Sequence, residues 1–280
     1  MQKIAEAVSR LKQESAGTKS FEVTKEMLVE KAKRDCELLN REVYKPTDEN
    51  SILCDKCNNR GFFYVPNGMY IAKQDCECQK ARKTMQRMID SGLGTVISKY
   101  TFKRYDTTED WQKPIKEAAE SYVRCTDGSW FFIGGESGAG KSHICTAICR
   151  ELLRTKEIKY MLWEEESVAL KSAKMDFAVY QPRIQALREV EVLYVDDFLG
   201  RKNGSNEPTE ADITFARELF NHRYFSGFQT IISTEWYSSE ILALDKGLGG
   251  RIIESCNGFM FNVGRDSGKN YRLKKASKLL

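Results

Sequence analysis

Trp130-Phe-Phe-Ile-Gly-Gly-Glu-Ser-Gly-Ala-Gly-Lys141-Ser142 decides the reading of this chain, because a short apolar run breaks into glycines and ends on a lysine-serine pair. From Gly135 to Ser142 it fits the phosphate-loop pattern G-x-x-x-x-G-K-[ST]. In that pattern the backbone N–H groups of Gly135, Glu136, Ser137, Gly138, Ala139 and Gly140 curl round a phosphate. Lys141 reaches the β- and γ-phosphates, and the Ser142 hydroxyl holds Mg²⁺.

The residues that follow alternate between strand-like and helix-like patterns. Apolar runs at 130–133, 159–163, 190–195, 229–234 and 258–263 read as five strands. Between them, Ile144, Ile148 and Leu152 repeat every four residues, and Thr209-x-x-Asp212 opens a second helix as a capping pair. Near-continuous apolar strands separated by helices predict an α/β fold with a five-stranded parallel sheet covered on both faces. Ligands of such sheets bind beyond the carboxyl ends of the strands, where the phosphate loop lies.

Glu191-Val-Leu-Tyr-Val-Asp196-Asp197 is the second nucleotide signal, a buried strand ending in two carboxylates. Asp196 is expected to hold magnesium with Ser142, and Asp197 to polarise the attacking water. With two histidines in the whole chain, His143 and His222, a histidine-based mechanism is not expected.

Upstream, Cys54-Asp-Lys-Cys57 and Cys76-Glu-Cys78 supply four thiolates, enough for a tetrahedral Zn²⁺ site. Gly61 and the Pro66-Asn-Gly68 turn let the intervening residues pair as a hairpin. The remaining five cysteines, at 36, 125, 145, 149 and 256, are scattered and read as buried structural thiols. Residues 1–45 read as two amphipathic helices, one with Ile4, Val8 and Leu11, the other with Leu28, Ala32, Cys36 and Leu39, broken at residues 15–20. They form either a cap on the next domain or a docking surface for a partner protein. The basic run 79–87 is read as lying against DNA or as a solvated linker.

No stretch approaches the 18 apolar residues of a membrane helix, so a cytoplasmic protein without membrane contact is expected. The net charge of +4 is uneven: Arg265, Lys269, Arg272, Lys274, Lys275 and Lys278 stand against Asp266 in the last sixteen residues. A basic tail fits nucleic-acid contact, or is a solvated end.

Taken in order, these motifs resemble the replicative helicase loaders of the DnaC/DnaI type, in the AAA+ superfamily of P-loop ATPases. The resemblance covers residues 95–275, and the cysteine module resembles the zinc-binding region that precedes it in some loaders. It implies a helical and zinc-binding helicase-interaction region at 1–94 and an AAA+ ATPase domain at 95–280. Gly135 to Ser142 is similar to Walker A, Val195-Asp196-Asp197 to Walker B, and Thr230 to Glu235 to the sensor-1 strand. Leu248-Gly-Gly-Arg251 resembles the segment bearing an arginine finger, and Asn270-Tyr-Arg272 makes Arg272 a sensor-2 candidate. Two residues depart from the family: Asp197 stands where a glutamate is usual, and Glu235 where sensor 1 commonly presents asparagine. Thr234 then becomes the candidate polar sensor, and hydrolysis is expected to be slow.

The function so implied is an ATP-dependent loader that places a replicative DNA helicase on single-stranded DNA, working as a homo-oligomer on the helicase. Tyr160, Trp163, Tyr180 and Arg183 are candidates for DNA contact or for packing. The ATPase partner of a transposase and a zinc-stabilised DNA-binding adaptor with weak ATPase activity remain open alternatives. A small-molecule kinase lacks an evident acceptor-binding lid.

Overall fold

The computed structural model describes residues 24–44, 52–88, 99–200 and 207–272. The helix bearing Ile4, Val8 and Leu11, the break at 15–20 and the tail lysines 274, 275 and 278 lie outside the described residues. The described residues fall into two compact units, the smaller built from 24–44 and Cys54–Cys76, the larger from 52–53 and Glu77 onward.

In the smaller unit, helix α1 (Lys25–Arg41) starts at Thr24, whose side chain accepts from the Met27 N–H. Of the face read as Leu28, Ala32, Cys36 and Leu39, Ala32 and Cys36 are buried and Leu39 half-buried, whereas Leu28, in the first turn, is exposed. Strands β1 (Phe62–Asn67) and β2 (Tyr70–Asp75) pair antiparallel, with Asn67 opposite Tyr70. The loop between them is two residues long, and Gly68 takes φ +61°, a conformation that costs a residue without Cβ nothing. Asn40 locks helix to hairpin: its Nδ2 donates to Tyr64 O at 2.8 Å and its Oδ1 accepts from Tyr64 N at 2.9 Å.

In the larger unit, α2 (Cys78–Met88) buries Ala81, Thr84 and Met85, with Ala81 and Met85 in the main core. The basic run 79–87 is therefore not a solvated linker. Lys80 and Lys83 are exposed and Arg82 is half-buried, donating to Ile52 O, while Ala81, Thr84 and Met85 turn inward at helical spacing. After α3 (Gln112–Tyr122) come β3 (Phe131–Gly135), α4 (Lys141–Leu152), β4 (Ile158–Leu162), α5 (Trp163–Ala173), α6 (Phe177–Glu189) and β5 (Val192–Asp196). Then follow α7 (Glu210–Ser226), β6 (Gln229–Ser233), α8 (Ser238–Leu244), α9 (Lys246–Cys256) and β7 (Met260–Val263).

The five strands form one parallel sheet in the order β4-β5-β6-β3-β7. Because strand side chains alternate, each central strand feeds two cores. Phe131, Ile133, Val192, Tyr194 and Ile231 join one with Ile144, Ile148 and Leu152 of α4. Trp130, Phe132, Leu193, Val195 and Ile232 join the other with Leu170, Ile184, Phe220 and Ile252. The expected capping pair is present, Thr209 accepting from Asp212 N while Asp212 accepts from Thr209 N. Cys36, Cys145, Cys149 and Cys256 are buried as read from the sequence, whereas Cys125 is half-buried, lying in the turn after α3.

Candidate nucleotide site and cysteine cluster

The phosphate loop connects β3 to α4, and its glycines are set by close approaches. A Cβ on Gly135, at φ +111°, would collide with Val263 O, and one on Gly138, at φ +69°, with the Asn270 side chain. Gly140 closes the loop at φ +87° as the N-cap of α4, leaving the helix N-terminus pointed at the loop.

A cavity of about 550 Å³ opens there, lined by Ser137 to Ser142, Asp196, Asp197, Ser233, Thr234, Glu235 and Arg272. The structure thus brings together in one space most of the residues singled out as nucleotide-binding. Ser142 Oγ donates to Asp196 Oδ1 at 3.0 Å. Ser233 Oγ also donates to Asp196 Oδ1, and Tyr160 OH donates to Oδ2 at 3.3 Å. A hydroxyl and an orientation-locked carboxylate at this separation are a fitting donor pair for Mg²⁺.

Lys141 is buried, and its Nζ donates to Gly135 O at 3.0 Å and to Glu136 O at 2.7 Å. Burial lowers its pKa, opposed by the charges of Glu235, Asp197, Asp196 and Glu136. Asp197 is half-buried at φ +53°. Its pKa is pushed up to about 6, by burial first and then by Glu235, Asp196 and Glu164, with Lys141 pulling the other way.

Two of the expected residues are held differently from the rest. Thr234 lines the cavity, and its hydroxyl donates to Phe198 O at 2.6 Å and accepts from Trp236 N at 3.1 Å, holding the turn after β6. Arg251, on α9, does not line the cavity; its Nη1 donates to Gly247 O, and its guanidinium lies over Tyr224 and Phe225.

Of the residues left open between DNA contact and packing, Trp163 packs: it is 3% exposed, begins α5 and meets Phe198 edge-on in the second core. Tyr180, 6% exposed, donates its hydroxyl to Glu218, and Arg183 pairs with Glu166. Tyr160 is half-buried and turned to Asp196.

The far wall of the cavity was not visible in the sequence. Tyr100, Arg104, Tyr105, Asp106, Gln112, His143 and Tyr271 line it. Tyr100 stacks on His143 with ring centroids 4.6 Å apart, and His143 Nε2 donates to Thr101 O. The Tyr105 hydroxyl is buried without a hydrogen-bond partner, an orphaned polar atom that a bound base or ribose would satisfy. The one sequence signal for this wall is the aromatic-basic run Tyr100 to Tyr105, which carries no motif.

The four cysteines Cys54, Cys57, Cys76 and Cys78 bring their sulfurs within 4.8 Å of one another. Cys54 and Cys76 sulfurs are 3.8 Å apart, the edge expected of a tetrahedron with Zn–S bonds of about 2.3 Å. The Gly61 N–H donates to Cys57 Sγ at 3.2 Å, a contact that supports thiolate charge. The donor set fits zinc. Among the described residues, no helix is long and apolar enough to cross a membrane.

No family model matches this chain. It is 28% identical over 209 residues to the uncharacterized protein YqaM of Bacillus subtilis, covering 71% of this chain and 66% of that protein's length. It is 27% identical over 242 residues to the phage-like element PBSX protein XkdC of the same organism, covering 81% and 89%. The replicative helicase loader DnaC of Escherichia coli is 23% identical over 186 residues, covering 65% and 71%. Among solved structures, a DnaC helicase loader superposes with a TM-score of 0.52 at 17% identity, covering 60% of this chain and 98% of that one. A replication initiator DnaA bound to AMPPCP and single-stranded DNA gives 0.50 at 17% identity, covering 64% and 54%. At this identity the likeness is one of fold: the larger unit, with its five-stranded parallel sheet, shares the fold of that DnaC helicase loader.

Proposed function

We propose that this chain is an ATP-dependent loader that binds a replicative DNA helicase and places it on single-stranded DNA during replication initiation. Residues 1–94 are the helicase-interaction region and 95–280 the ATPase domain, with ATP binding and hydrolysis switching between assembled and released states. The observation that carries this reading is the cavity in which Lys141, the Ser142–Asp196 pair, Asp197 and Arg272 meet on a DnaC-type fold. The sequence likeness to DnaC of E. coli supports it.

In this mechanism the loop N–H groups and Lys141 hold the phosphates, releasing the lysine from its two loop carbonyls. Ser142 and Asp196 hold Mg²⁺, which when bound neutralises phosphate charge. Asp197 takes the proton of the attacking water; with its pKa near 6 it is a stronger base than a free aspartate, offsetting its shorter reach. Arg251 acts in trans, on the phosphates of a second copy. Arg272 contacts the nucleotide from the cavity rim. Cys54, Cys57, Cys76 and Cys78 hold a structural zinc that stabilises the hairpin.

The test is a pull-down of the purified chain against the replicative helicase of its host, with ATP, with ADP and without nucleotide. ATP-dependent capture of the helicase is expected. No capture under any condition, together with capture of a transposase, would overturn the reading in favour of a transposase partner.

A further inference from the structure

The two oxygens of Asp196 are held unequally. Oδ1 accepts from Ser142 Oγ at 3.0 Å, from the Asp197 N–H at 3.1 Å and from Ser233 Oγ. Oδ2 accepts from one group among the described residues, the Tyr160 hydroxyl at 3.3 Å. An ionised carboxylate offers about four lone-pair sites, two on each oxygen. Three donors fill Oδ1, so the lone pair open to a cation is on Oδ2, and the Tyr160 hydroxyl takes the other site there.

Strand register explains how two tyrosines come to grip this group. Tyr160 on β4 and Tyr194 on β5 are Cα partners in the parallel pair, so their side chains stand on one face of the sheet, with ring centroids 5.4 Å apart. From there the hydroxyls diverge. Tyr160 reaches Oδ2 directly, while the Tyr194 hydroxyl lies 3.2 Å from Ser233 Oγ on β6. Ser233 directs its only proton at Asp196 Oδ1, so Tyr194 is the donor to Ser233. Protons from three adjacent strands thus all point towards one carboxylate. Neither tyrosine lines the cavity, so each acts on a ligand there through Asp196 rather than by touching it.

We propose that Tyr160 is a positioning residue for the divalent cation of the nucleotide site, aiming the open lone pair of Asp196 Oδ2 while Tyr194 and Ser233 hold Oδ1. This rests on the nucleotide reading of the cavity and adds a residue that sets its metal affinity. Donors behind a ligating carboxylate fix its rotation, and losing one weakens metal binding by about 10–100-fold. Tyr160 is the member of the network that acts at the open oxygen. It is half-buried on the edge strand β4, where phenylalanine keeps the ring contact with Tyr194 and removes the hydrogen bond.

The test uses the full chain as wild type, Y160F, D196N and Y160F/D196N. Affinity for a ribose-labelled fluorescent ATP is measured in EDTA and again along a Mg²⁺ titration, and Mn²⁺ binding beside a non-hydrolysable ATP analogue is read by electron paramagnetic resonance. Y160F is expected to match wild type within about twofold in EDTA and to need roughly tenfold more Mg²⁺ for half-maximal binding, with Mn²⁺ weakened in the same proportion. Saturating Mg²⁺ restores the wild-type rate of hydrolysis. In the D196N background, removal of the Tyr160 hydroxyl changes nothing further. Because each variant is compared with itself in EDTA, a loss of folded protein lowers both measurements and does not imitate the shift. An unchanged Mg²⁺ midpoint in Y160F, an equal loss of affinity in EDTA, or an undiminished effect on top of D196N would overturn the proposal. An unchanged midpoint together with weaker single-stranded DNA binding would give the hydroxyl to nucleic acid instead. Failure of the wild type itself to bind labelled ATP, with or without Mg²⁺, would remove the nucleotide reading, a result distinct from a wild type that binds and a Y160F that binds alike.

Discussion

Replacing Asp197 by asparagine should make the nucleotide-free protein more stable while slowing hydrolysis, and the size of the gain follows from the site. Asp197 shares the cavity with Asp196 and Glu235, and burial together with these charges raises its pKa from 3.8 to about 6, net of the attraction of Lys141. At about 1.4 kcal/mol per unit, that displacement sets a ceiling of about 3 kcal/mol on the cost of ionising it in the folded chain. Because the residue is half-buried, solvent screening reduces the cost to roughly 1–2 kcal/mol. Asparagine keeps the shape, removes the charge and tolerates the left-handed backbone at φ +53°. The melting temperature at pH 7.5 should therefore rise by roughly 3–6 °C. The sign with pH is fixed. A carboxyl whose folded pKa is raised stabilises the fold below its unfolded pKa, and that stabilisation is lost as pH rises through about 6. The advantage of D197N should accordingly shrink towards zero by about pH 4.5. Differential scanning calorimetry of both proteins without nucleotide at the two pH values decides it. A gain of equal size at both, or a loss at pH 7.5, would refute the account of Asp197 as a strained acid. Hydrolysis by the variant is expected to fall roughly 100-fold, the usual share of a general base.

Other outcomes follow from the same geometry. Lys141→Ala should abolish tight binding of fluorescent ATP, whereas Arg251→Ala should spare binding and reduce hydrolysis only in the assembled state; equal loss of affinity in both would contradict the division of roles. Arg223 is fully buried and donates to Thr230 Oγ1 and to the carbonyls of Leu187, Arg188, Val190 and Gln229. Arg223→Met leaves those four carbonyls without that donor and should cost about 3–4 kcal/mol, read as a lowered denaturant midpoint with unchanged m-value. Purified protein should carry about one zinc per chain, and a strong chelator should expose the hairpin Phe62–Asp75 to proteolysis before the sheet unit is cut. Zinc well below one equivalent in freshly purified, reduced protein would count against the four-cysteine site.

What could be read from the sequence divides along a physical line. The phosphate loop was legible because its chemistry is local: eight consecutive residues fix a backbone path, and the spacing of Gly135, Gly140, Lys141 and Ser142 is the fold of the loop. The five strands were legible within two residues at each end, since strands covered on both faces read as apolar runs, and the capping pair at Thr209 marked its helix to the residue. Strand order was not legible, because it is set by which faces the helices cover. The far wall of the cavity was equally hidden: Tyr100, Tyr105, Gln112 and Tyr271 reach it from the segment before the sheet, from α3 and from the chain after β7, and no spacing links them. The aromatic residues stayed ambiguous for a related reason. Trp163 and Tyr180 could be read as a stacking surface or as packing, because composition does not say where a ring points, and both lie in the core. Phe225 is the reverse case. Set among the apolar positions of α7 it reads as core, yet the αL turn at Gly227, φ +67°, ends the helix there and leaves the ring outside, beside Arg251. An apolar residue kept in solvent by a helix stop is a pattern that only the folded chain displays, because the residue type and its helical spacing alone place it with the core.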